Sequence, residues 1–354
     1  MKLQILRALF TAPALALLLI SAQAQHAPAA ATATATEQPG WKLAPPKELF
    51  AIEKVVDGDT IYIRRNGEVQ KLRLLSVDTE EKLSVNTQDA SKPGTVFGEE
   101  CALWAGEFFK ALAKDGAPAQ VGIVFPSGVE ERDVYGRLLC YVILPDGRNF
   151  DLLLVQLGKS PYFNKYGNDT LCHEAFVAAQ KAAREEQLGI WNPKANEPKT
   201  PGAPAAKRPY ATLLPWWDAR ASAVDECRKR VASDAAHAAN AETKADLERV
   251  LATSKKGEDV EVFGSIDRLF DEDDGSLTVL LRTGSKDSAL RVKIAASERA
   301  KFAALDFAHR NDEFRQNYLW VKGRITTATR GFEMVCSDPK AWRTAGPEVA
   351  AANK

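Results

Sequence analysis

The stretch from residue 49 to residue 77 constrains the fold most, because it places three short strand-like segments between tight turns. LFAIEKVV and TIYIRRNG flank an acidic turn, and RNGE leads into the third segment, VQKLRLLSV. Two more segments of this kind, PAQVGIVF and LLCYVIL, follow later in the chain. Short strands joined by tight turns, with helices packed outside them, are typical of a small closed barrel of the OB type. We therefore expect a mainly β fold with packed helices, in the α+β class.

Apolar residues at helical spacing predict two long amphipathic helices beside these strands. The first lies in GEECALWAGEFFKALAKDG, where Gly116 ends it, and the second lies in HEAFVAAQKAAREEQLGIW. A shorter helix is expected around DLLLVQLG. Cys101 and Cys172 stand at the starts of the two long helices, so they could pair if those helix ends meet, whereas the strand residue Cys140 is expected to be buried.

The composition changes along the chain and divides it into six predicted parts. Lys2 and Arg7, an apolar run and small residues up to Ala24 form the pattern of a secretory signal peptide that is cut after Ala24. We therefore expect the mature protein to be exported to the periplasm or the cell exterior, and no segment has the length of a membrane span. The predicted parts are a signal peptide at 1–24, a flexible tether at 25–46, a barrel domain at 47–193, a linker at 194–210, a helical segment at 211–256 and a small β domain at 257–345.

The last two parts carry less information about function. Residues 211–256 are Ala-rich and helical, and we expect Trp216 and Trp217 to lie just ahead of the first helix as packing anchors. Alternating segments then predict a second small β-barrel-like domain of an OB-like kind, with a helix near SERAKFAALDFAH.

The acidic turn VVDGDT places two carboxylates, Asp57 and Asp59, on either side of one glycine. Carboxylates this close repel each other unless a cation or hydrogen-bond donors lie between them. Neighbouring strands bring Asp78 of LRLLSVDTEE toward the same turn, so Asp59 and Asp78 could face one cation. A hard cation held by few carboxylates keeps positions open for a phosphate oxygen.

Two arginines supply what a phosphodiester needs beside such a cation. Arg73 lies in KLRLLSV and Arg137 lies in RDVYGR. A planar guanidinium binds two phosphate oxygens and stabilises the extra charge of a pentacoordinate transition state. A remaining carboxylate can then orient or deprotonate water.

Together these motifs resemble the staphylococcal nuclease (thermonuclease-like) family. The matching segments occur in the family's order over about residues 47–193, and they are VVDGDT, LRLLSVDTEE, DVYGR and LVQLGKSPYFNKYGN with AQKAAREEQLGIW. The resemblance implies a five-stranded OB barrel with three helices and a calcium-dependent hydrolysis of DNA and RNA.

The resemblance also implies a role for each matching site residue. The implied metal ligands are Asp59, Asp78 and the carbonyl of Thr79, with Asp57 beside them. The implied catalytic residues are Arg73 and Arg137, which clamp the phosphate, and Glu81, which orients the water. The implied substrate-binding residues are Tyr135, which bonds the phosphate, and Tyr166, which lines the base pocket.

This sequence departs from the family pattern at several positions. Glu80 stands where the family usually has proline, so the choice between Glu80 and Glu81 as the water-orienting group stays open, with position favouring Glu81. Val134 stands where a lysine is common, and Asn164 where a second pocket tyrosine would align. The loop at 82–97 is longer than in short family members.

The net negative charge of residues 47–193 is compatible with functions other than hydrolysis of nucleic acid. Residues 47–193 contain 17 basic and 22 acidic residues, a net charge of −5, whereas domains that hold nucleic acid by phosphate neutralisation are usually basic. The leading hypothesis is an exported calcium-dependent nuclease acting on DNA, RNA or both. One alternative is a catalytically silent nuclease-like module that binds nucleic acid or protein in the cell envelope. Another is an envelope adaptor that acts through its C-terminal domain, with a protein partner that the sequence does not specify.

Overall fold

Five short strands close into a barrel in the first part of the chain. The computed structural model describes residues 42–84, 91–133, 135–198, 206–284, 288–310 and 317–347. The first seven strands are β1 (Phe50–Val55), β2 (Thr60–Arg65), β3 (Glu68–Leu74), β4 (Glu81–Lys82), β5 (Gly94–Thr95), β6 (Gln120–Val124) and β7 (Leu138–Ile143). The barrel order is β1-β2-β3-β7-β6, in which β3 and β7 run parallel and β6 pairs back with β1.

The barrel closes because alternate residues of its strands are apolar and point inward. Ile61 and Ile63 of β2 and Leu72 and Leu74 of β3 are buried, and their polar neighbours face outward. The predicted OB-type barrel and the α+β class are confirmed.

Three helices pack against this barrel, as expected. They are α1 (Val96–Leu112), α2 (Phe150–Gln156) and α3 (His173–Glu185), and a 3₁₀ turn follows at Gly189–Trp191. The side chain of Thr95 caps α1 by accepting a hydrogen bond from the Gly98 N–H at 2.9 Å. This cap fixes the start of α1 directly after β5, so it also fixes the strand that lies beside Glu81.

The second part of the chain adds helices and a larger sheet. Its helices are α4 (Tyr210–Ser233), α5 (Lys244–Ser254) and α6 (Phe307–Arg310), with 3₁₀ turns at Ala296–Leu305 and Pro339–Ala341. Its strands are β8 (Ala238–Asn240), β9 (Val260–Asp271), β10 (Leu277–Leu281), β11 (Leu290–Ile294), β12 (Tyr318–Gly323), β13 (Ile325–Thr327), β14 (Phe332–Val335) and β15 (Trp342–Thr344).

These eight strands form one curled sheet. The path is β13-β14-β11-β10-β9-β12-β15, and β8 pairs with β9. The long strand β9 joins the two halves, because its first half pairs with β12 and β8 and its second half pairs with β10. A separate apolar core under this sheet includes Leu247, Val262, Leu290 and Trp342.

The structure corrects one expectation about α4. Trp216 and Trp217 do not precede the helix but lie within it, because α4 begins at Tyr210 and contains Pro215. A proline usually marks a helix boundary in sequence, since it lacks an N–H and crowds the preceding turn. Trp217 packs edge-to-face on Phe163 at 4.8 Å between ring centroids, so the first half of α4 contacts the barrel domain.

The five cysteines all lie in described ranges, where they are buried and form no disulfide. The Cys101–Cys172 pairing that the helix starts allowed is therefore not formed. The signal peptide and most of the tether lie outside the residues that the structure describes. Within the described residues, no helix has both the length and the apolar character needed to cross a membrane.

Candidate active site

The DGDT turn is a tight connection between β1 and β2. The Val56 N–H donates to the Thr60 carbonyl at 3.0 Å, and the Asp59 N–H donates to Asp57 Oδ1 at 3.1 Å. A Cβ on Gly58 would lie 2.5 Å from a side-chain carbon of Thr79. Glycine therefore lets this turn pack directly against the segment that carries Asp78 and Thr79.

Arg73 joins the two predicted metal ligands. It lies on β3 directly opposite Thr60, the residue after Asp59. Its Nη1 is 3.1 Å from Asp59 Oδ2, and its Nη2 donates to Asp78 Oδ1 at 2.8 Å. Since one guanidinium contacts both carboxylates, the structure brings Asp59, Arg73 and Asp78 together at the end of β3, as the motif spacing predicted.

The carboxylate of Asp78 also contacts two cationic side chains that the sequence did not single out. Lys92 Nζ donates to Asp78 Oδ1 at 2.7 Å, and Arg208 pairs with Asp78 Oδ2. Burial alone would raise the pKa of the Asp78 carboxyl, but Arg208, Lys92 and Arg73 hold it well below its usual range. Asp78 is therefore ionised and oriented through both of its oxygens.

Thr79 and Asp57 complete the acidic end of the site. The Thr79 N–H donates to Asp59 Oδ2 at 2.9 Å, which ties the two predicted ligand segments to each other. Burial and then the negative charge of Asp59 raise the pKa of the Asp57 carboxyl to about 7. Asp57 contacts the predicted ligand Asp59, and its role beside the metal ligands stays a prediction.

Glu80 and Glu81 have different surroundings. Glu80 is buried, and its Oε2 accepts hydrogen bonds from Thr95 Oγ1 at 2.6 Å and from Asn196 Nδ2 at 3.0 Å. Glu81 is half-buried on β4. Burial raises the pKa of the Glu81 carboxyl, and the negative charges of Asp59 and Asp78 raise it further. The positive charge of Lys92 lowers it, but the net shift is upward. Glu81 therefore faces the acidic cluster, and Glu80 holds the start of α1.

Arg137 and Tyr135 lie apart from this cluster. Arg137 Nε donates to Asp133 Oδ2 at 2.6 Å, and its guanidinium lies 5.5 Å from the centroid of the Tyr135 ring. Tyr135 is 82% exposed. In this conformation the structure does not bring either residue into contact with Asp59 or Asp78, so their catalytic and substrate-binding roles stay predictions.

The side chain of Tyr166 is partly exposed and lies between two cationic groups. Its side chain is 51% exposed, and its ring lies 5.7 Å from Lys165 Nζ and 5.8 Å from the Arg282 guanidinium. An exposed ring between two cations can stack on a base while the cations meet phosphates. The substrate-binding role of Tyr166 stays a prediction.

The site fits a hard divalent cation by its donor chemistry. Asp59 and Asp78 supply carboxylate oxygens, which are the ligands that such a cation prefers. Asp78 already binds one positive charge, because the Lys92 ammonium group contacts it. Across the described ranges, no three His, Cys, Asp or Glu side chains are arranged to hold a metal ion. A cation here would therefore take two side-chain ligands and leave its other positions to backbone oxygen, water and substrate.

Sequence reasoning missed three residues that contact the site. Arg208 and Asn196 lie in the segment predicted as a linker, and Lys92 lies in the loop at 82–97. The Pro- and Ala-rich composition of the linker favoured an extended, solvated chain. No local pattern indicated that its two ends pack on the barrel domain.

Comparisons with known proteins place the first part of the chain in one family. The family model described as Staphylococcal nuclease homologue matches residues 71–193. Endonuclease YhcR of Bacillus subtilis (strain 168) is 34% identical over 158 residues, which are 44% of this chain and 12% of that protein. Thermonuclease of Staphylococcus intermedius is 32% identical over 145 residues, which are 41% of this chain and 76% of that protein.

An uncharacterized protein of Methanocaldococcus jannaschii is 31% identical over 148 residues, which are 40% of this chain and 70% of that protein. The family match ends at residue 193, before α4 begins. The family match therefore includes Lys165 but not its contact partner Trp216. Arg208 and the curled sheet also lie beyond the match.

Proposed function

The chain belongs to the family of staphylococcal nuclease homologues, and on that premise we propose that it is a calcium-dependent nuclease that hydrolyses phosphodiester bonds of DNA, RNA or both. The observation that carries the proposal is the contact of Asp59 and Asp78 with one guanidinium, that of Arg73, with Glu81 close enough to both carboxylates to feel their charge. These are the residue types that phosphodiester hydrolysis needs in one place: ligands for a cation, a phosphate clamp and a carboxylate for water.

Asp59 and Asp78, with the carbonyl of Thr79, would hold the cation. Calcium bound there would offset the charge of the phosphate and of the acidic cluster. The Thr79 N–H keeps Asp59 in place from the opposite segment, so the two carboxylates stay near each other before a cation arrives.

Arg73 and Arg137 would bind the phosphate oxygens. Arg73 is fixed by the carbonyls of Leu74 and Val77 as well as by the two carboxylates, so it needs little reorganisation to receive a phosphate. Arg137 would reach the phosphate by leaving Asp133. Glu81, whose pKa is raised, would accept the proton of the attacking water.

Substrate recognition would rest on exposed aromatic and cationic groups of the chain rather than on net charge. Tyr135 and Tyr166 are exposed, and Lys165 and Arg282 flank the Tyr166 ring. Bases can stack on such rings with little sequence preference. The net charge of −5 over 47–193 would be offset locally by the bound cation.

Export is a separate part of this proposal. The charged start, the apolar run and the small residues up to Ala24 support a signal peptide, followed by the tether at 25–46. Expression in a bacterium with a cell envelope should yield a periplasmic or extracellular product whose N-terminal sequence begins at Gln25. A product that stays inside the cell with an intact N-terminus would contradict export.

A site variant tests the nuclease proposal. Asp59→Asn keeps the size of the side chain but removes its charge, so we expect cleavage of single-stranded DNA with calcium to fall at least about 100-fold. Glu53→Gln on β1 is the matched control, since Glu53 is an outward carboxylate paired with Arg64. Equal activity in Asp59→Asn and Glu53→Gln, with unchanged thermal unfolding, would contradict the assigned site.

One observation favours the alternative of a catalytically silent binding module. Asp78 contacts three cationic side chains, which together could stabilise the fold without any metal. The same assay separates the two functions, because a silent module binds single-stranded DNA or a protein but shows no cleavage at any calcium level.

A further inference from the structure

Arg208 is part of the site although it lies beyond the family match. Its Nη1 donates to the Asp78 carbonyl at 2.9 Å, its Nη2 pairs with Asp78 Oδ2, and its Nε donates to the Ser91 carbonyl at 3.0 Å. Its side chain is 2% exposed. Arg208 therefore makes three directed contacts to the barrel domain from a position beyond the family match, which ends at residue 193.

The following helix holds Arg208 in place. Only Pro209 separates Arg208 from the start of α4, and the Arg208 guanidinium lies 5.6 Å from the ring centroid of Tyr210 and 5.4 Å from that of Trp217. Trp217 in turn packs on Phe163 of the barrel domain. The guanidinium is thus supported by rings on one side and bonded to Asp78 and Ser91 on the other.

The contacts of Arg208 fix two features of the site at once. They tie Asp78 to Ser91, so they join the described segment before residues 85–90 to the one after them. They also hold Asp78 Oδ2, which leaves Asp78 Oδ1 directed at Arg73 and Lys92. A carboxylate bonded through both oxygens to different partners cannot rotate freely, so the oxygen that faces the cluster is determined.

Arg208 cannot bind the substrate itself, because its guanidinium is enclosed. Lys92 is more accessible, with a side chain that is 34% exposed, and it can move away from Asp78 Oδ1. The contact through Oδ2 is therefore the fixed one, and the contact of Lys92 with Oδ1 is the exchangeable one.

We propose that Arg208 is a positioning residue that orients Asp78 for phosphodiester hydrolysis, so that the segment after the family domain completes the active site. This inference rests on the proposed function. A planar guanidinium with several donors can bond two carbonyls and a carboxylate together, which an ammonium group cannot do in the same geometry. A site held to within a fraction of an ångström depends on such supporting contacts.

The experiment compares Arg208→Gln and Arg208→Lys with Arg220→Gln in the full chain. Arg220 is a matched control because it is also a buried arginine of this region, with contacts to the Lys165 carbonyl, Asn317 and the Tyr318 ring. Two readouts are taken below the unfolding temperature. They are kcat and KM for single-stranded DNA with saturating calcium, and hydrogen exchange of the backbone amides at 75–84 in metal-free protein.

We expect Arg208→Gln to lower kcat about 10- to 100-fold with KM nearly unchanged, as the loss of a contact that orients a metal ligand does. Exchange at 75–84 should become faster, and Arg208→Lys should restore only part of either property. Arg220→Gln should lower the unfolding temperature but leave kcat and the exchange at 75–84 near those of the parent.

Two results would overturn the inference. One is an unchanged kcat and unchanged exchange at 75–84 in Arg208→Gln, and the other is an equal loss of kcat in Arg208→Gln and Arg220→Gln. A folded parent that cleaves nothing contradicts the proposed function instead. In that case the exchange readout still decides whether Arg208 orders Asp78: faster exchange supports it, and equal exchange overturns it.

Discussion

Glu80 and Glu81 are neighbours in sequence but make different contacts in the structure. Glu80 accepts two hydrogen bonds in the interior, and Glu81 is partly exposed beside Asp59 and Asp78. We expect Glu81→Ala to lower cleavage of single-stranded DNA about 10²- to 10⁴-fold with little change in stability, because it removes the carboxylate that we propose to orient the attacking water.

Glu80→Ala should behave in the opposite way. It leaves the buried donors of Thr95 and Asn196 without their acceptor, which costs about 1–3 kcal/mol of unfolding free energy. Denaturant unfolding and cleavage rates below the transition give both quantities. A larger loss of activity in folded Glu80→Ala than in Glu81→Ala would reverse the assignment.

Arg137 tests whether the exposed loop after β6 takes part in the chemistry. Arg137→Ala should lower kcat about 10²- to 10³-fold, because it removes a donor that stabilises charge in the transition state. Arg132 in the same loop is the control, since it pairs with Glu130 and with Gln70 on the surface. Steady-state cleavage of single-stranded DNA measures both variants, and equal rates for the two would show that Arg137 stays outside the reaction.

At the scale of residues, motifs predicted the members of the site better than their contacts. Asp59, Arg73 and Asp78 meet as expected because adjacent barrel strands fix their separation. Arg137 could not be placed from sequence, since its orientation depends on a competing bond to Asp133. Arg208 could not be found at all, because its contacts join positions 130 residues apart.

The start of α1 links an ordinary helix cap to the site. Thr95 Oγ1 accepts from the Gly98 N–H and donates to Glu80 Oε2. Thr95→Ala should lower the unfolding free energy by about 1–2 kcal/mol, whereas Thr95→Ser keeps both hydrogen bonds and should lose less. Equal stability of the two variants in denaturant unfolding would mean that the hydroxyl contributes nothing here.

A histidine in the connection from α4 to β8 is expected to make the stability of the protein depend on pH. His237 Nδ1 lies 2.9 Å from Asp234 Oδ1, and His237 Nε2 lies 3.0 Å from Glu258 Oε2. The hydrogen bond to Glu258, followed by that to Asp234, raises the pKa of His237 from 6.5. The stability that this raised pKa provides is fully present below pH 6.5, and it is lost as the pH rises through the higher pKa of the folded state.

An NMR titration of the His237 ring checks this effect. We expect a pKa above 6.5 in the parent and a lower one in Glu258→Gln, with His237→Gln used to assign the signal. A parent pKa at or below 6.5 would show that the two carboxylates do not hold the ring in solution.

Elements of the barrel domain could be predicted because their signals are local. Strand alternation in β2 and β3 and helical spacing in α1 and α3 each indicate one structure over a few residues. The start of α4 was predicted wrongly, since the helix begins at Tyr210, contains Pro215 and includes Trp217, which packs on Phe163.

The two β regions of the molecule are connected by contacts beyond the family domain. Arg220 of α4 reaches the Lys165 carbonyl in the barrel domain and Asn317 ahead of β12. Arg282, which follows β10, lies over the Tyr166 ring. The described parts within 37–354 thus belong to one compact unit, and sequence patterns could not predict these long-range pairs.

The whole molecule is proposed to hydrolyse nucleic acid at the Asp59, Arg73 and Asp78 cluster in a reaction that depends on a bound cation. The most direct test is the initial rate of single-stranded DNA cleavage by the purified mature chain as calcium is added to chelator-treated protein. We predict no cleavage with chelator present and a saturable rise with calcium, which added chelator reverses. The same rate with chelator and with calcium, or no cleavage at any calcium level by a chain with intact thermal unfolding, would contradict the account.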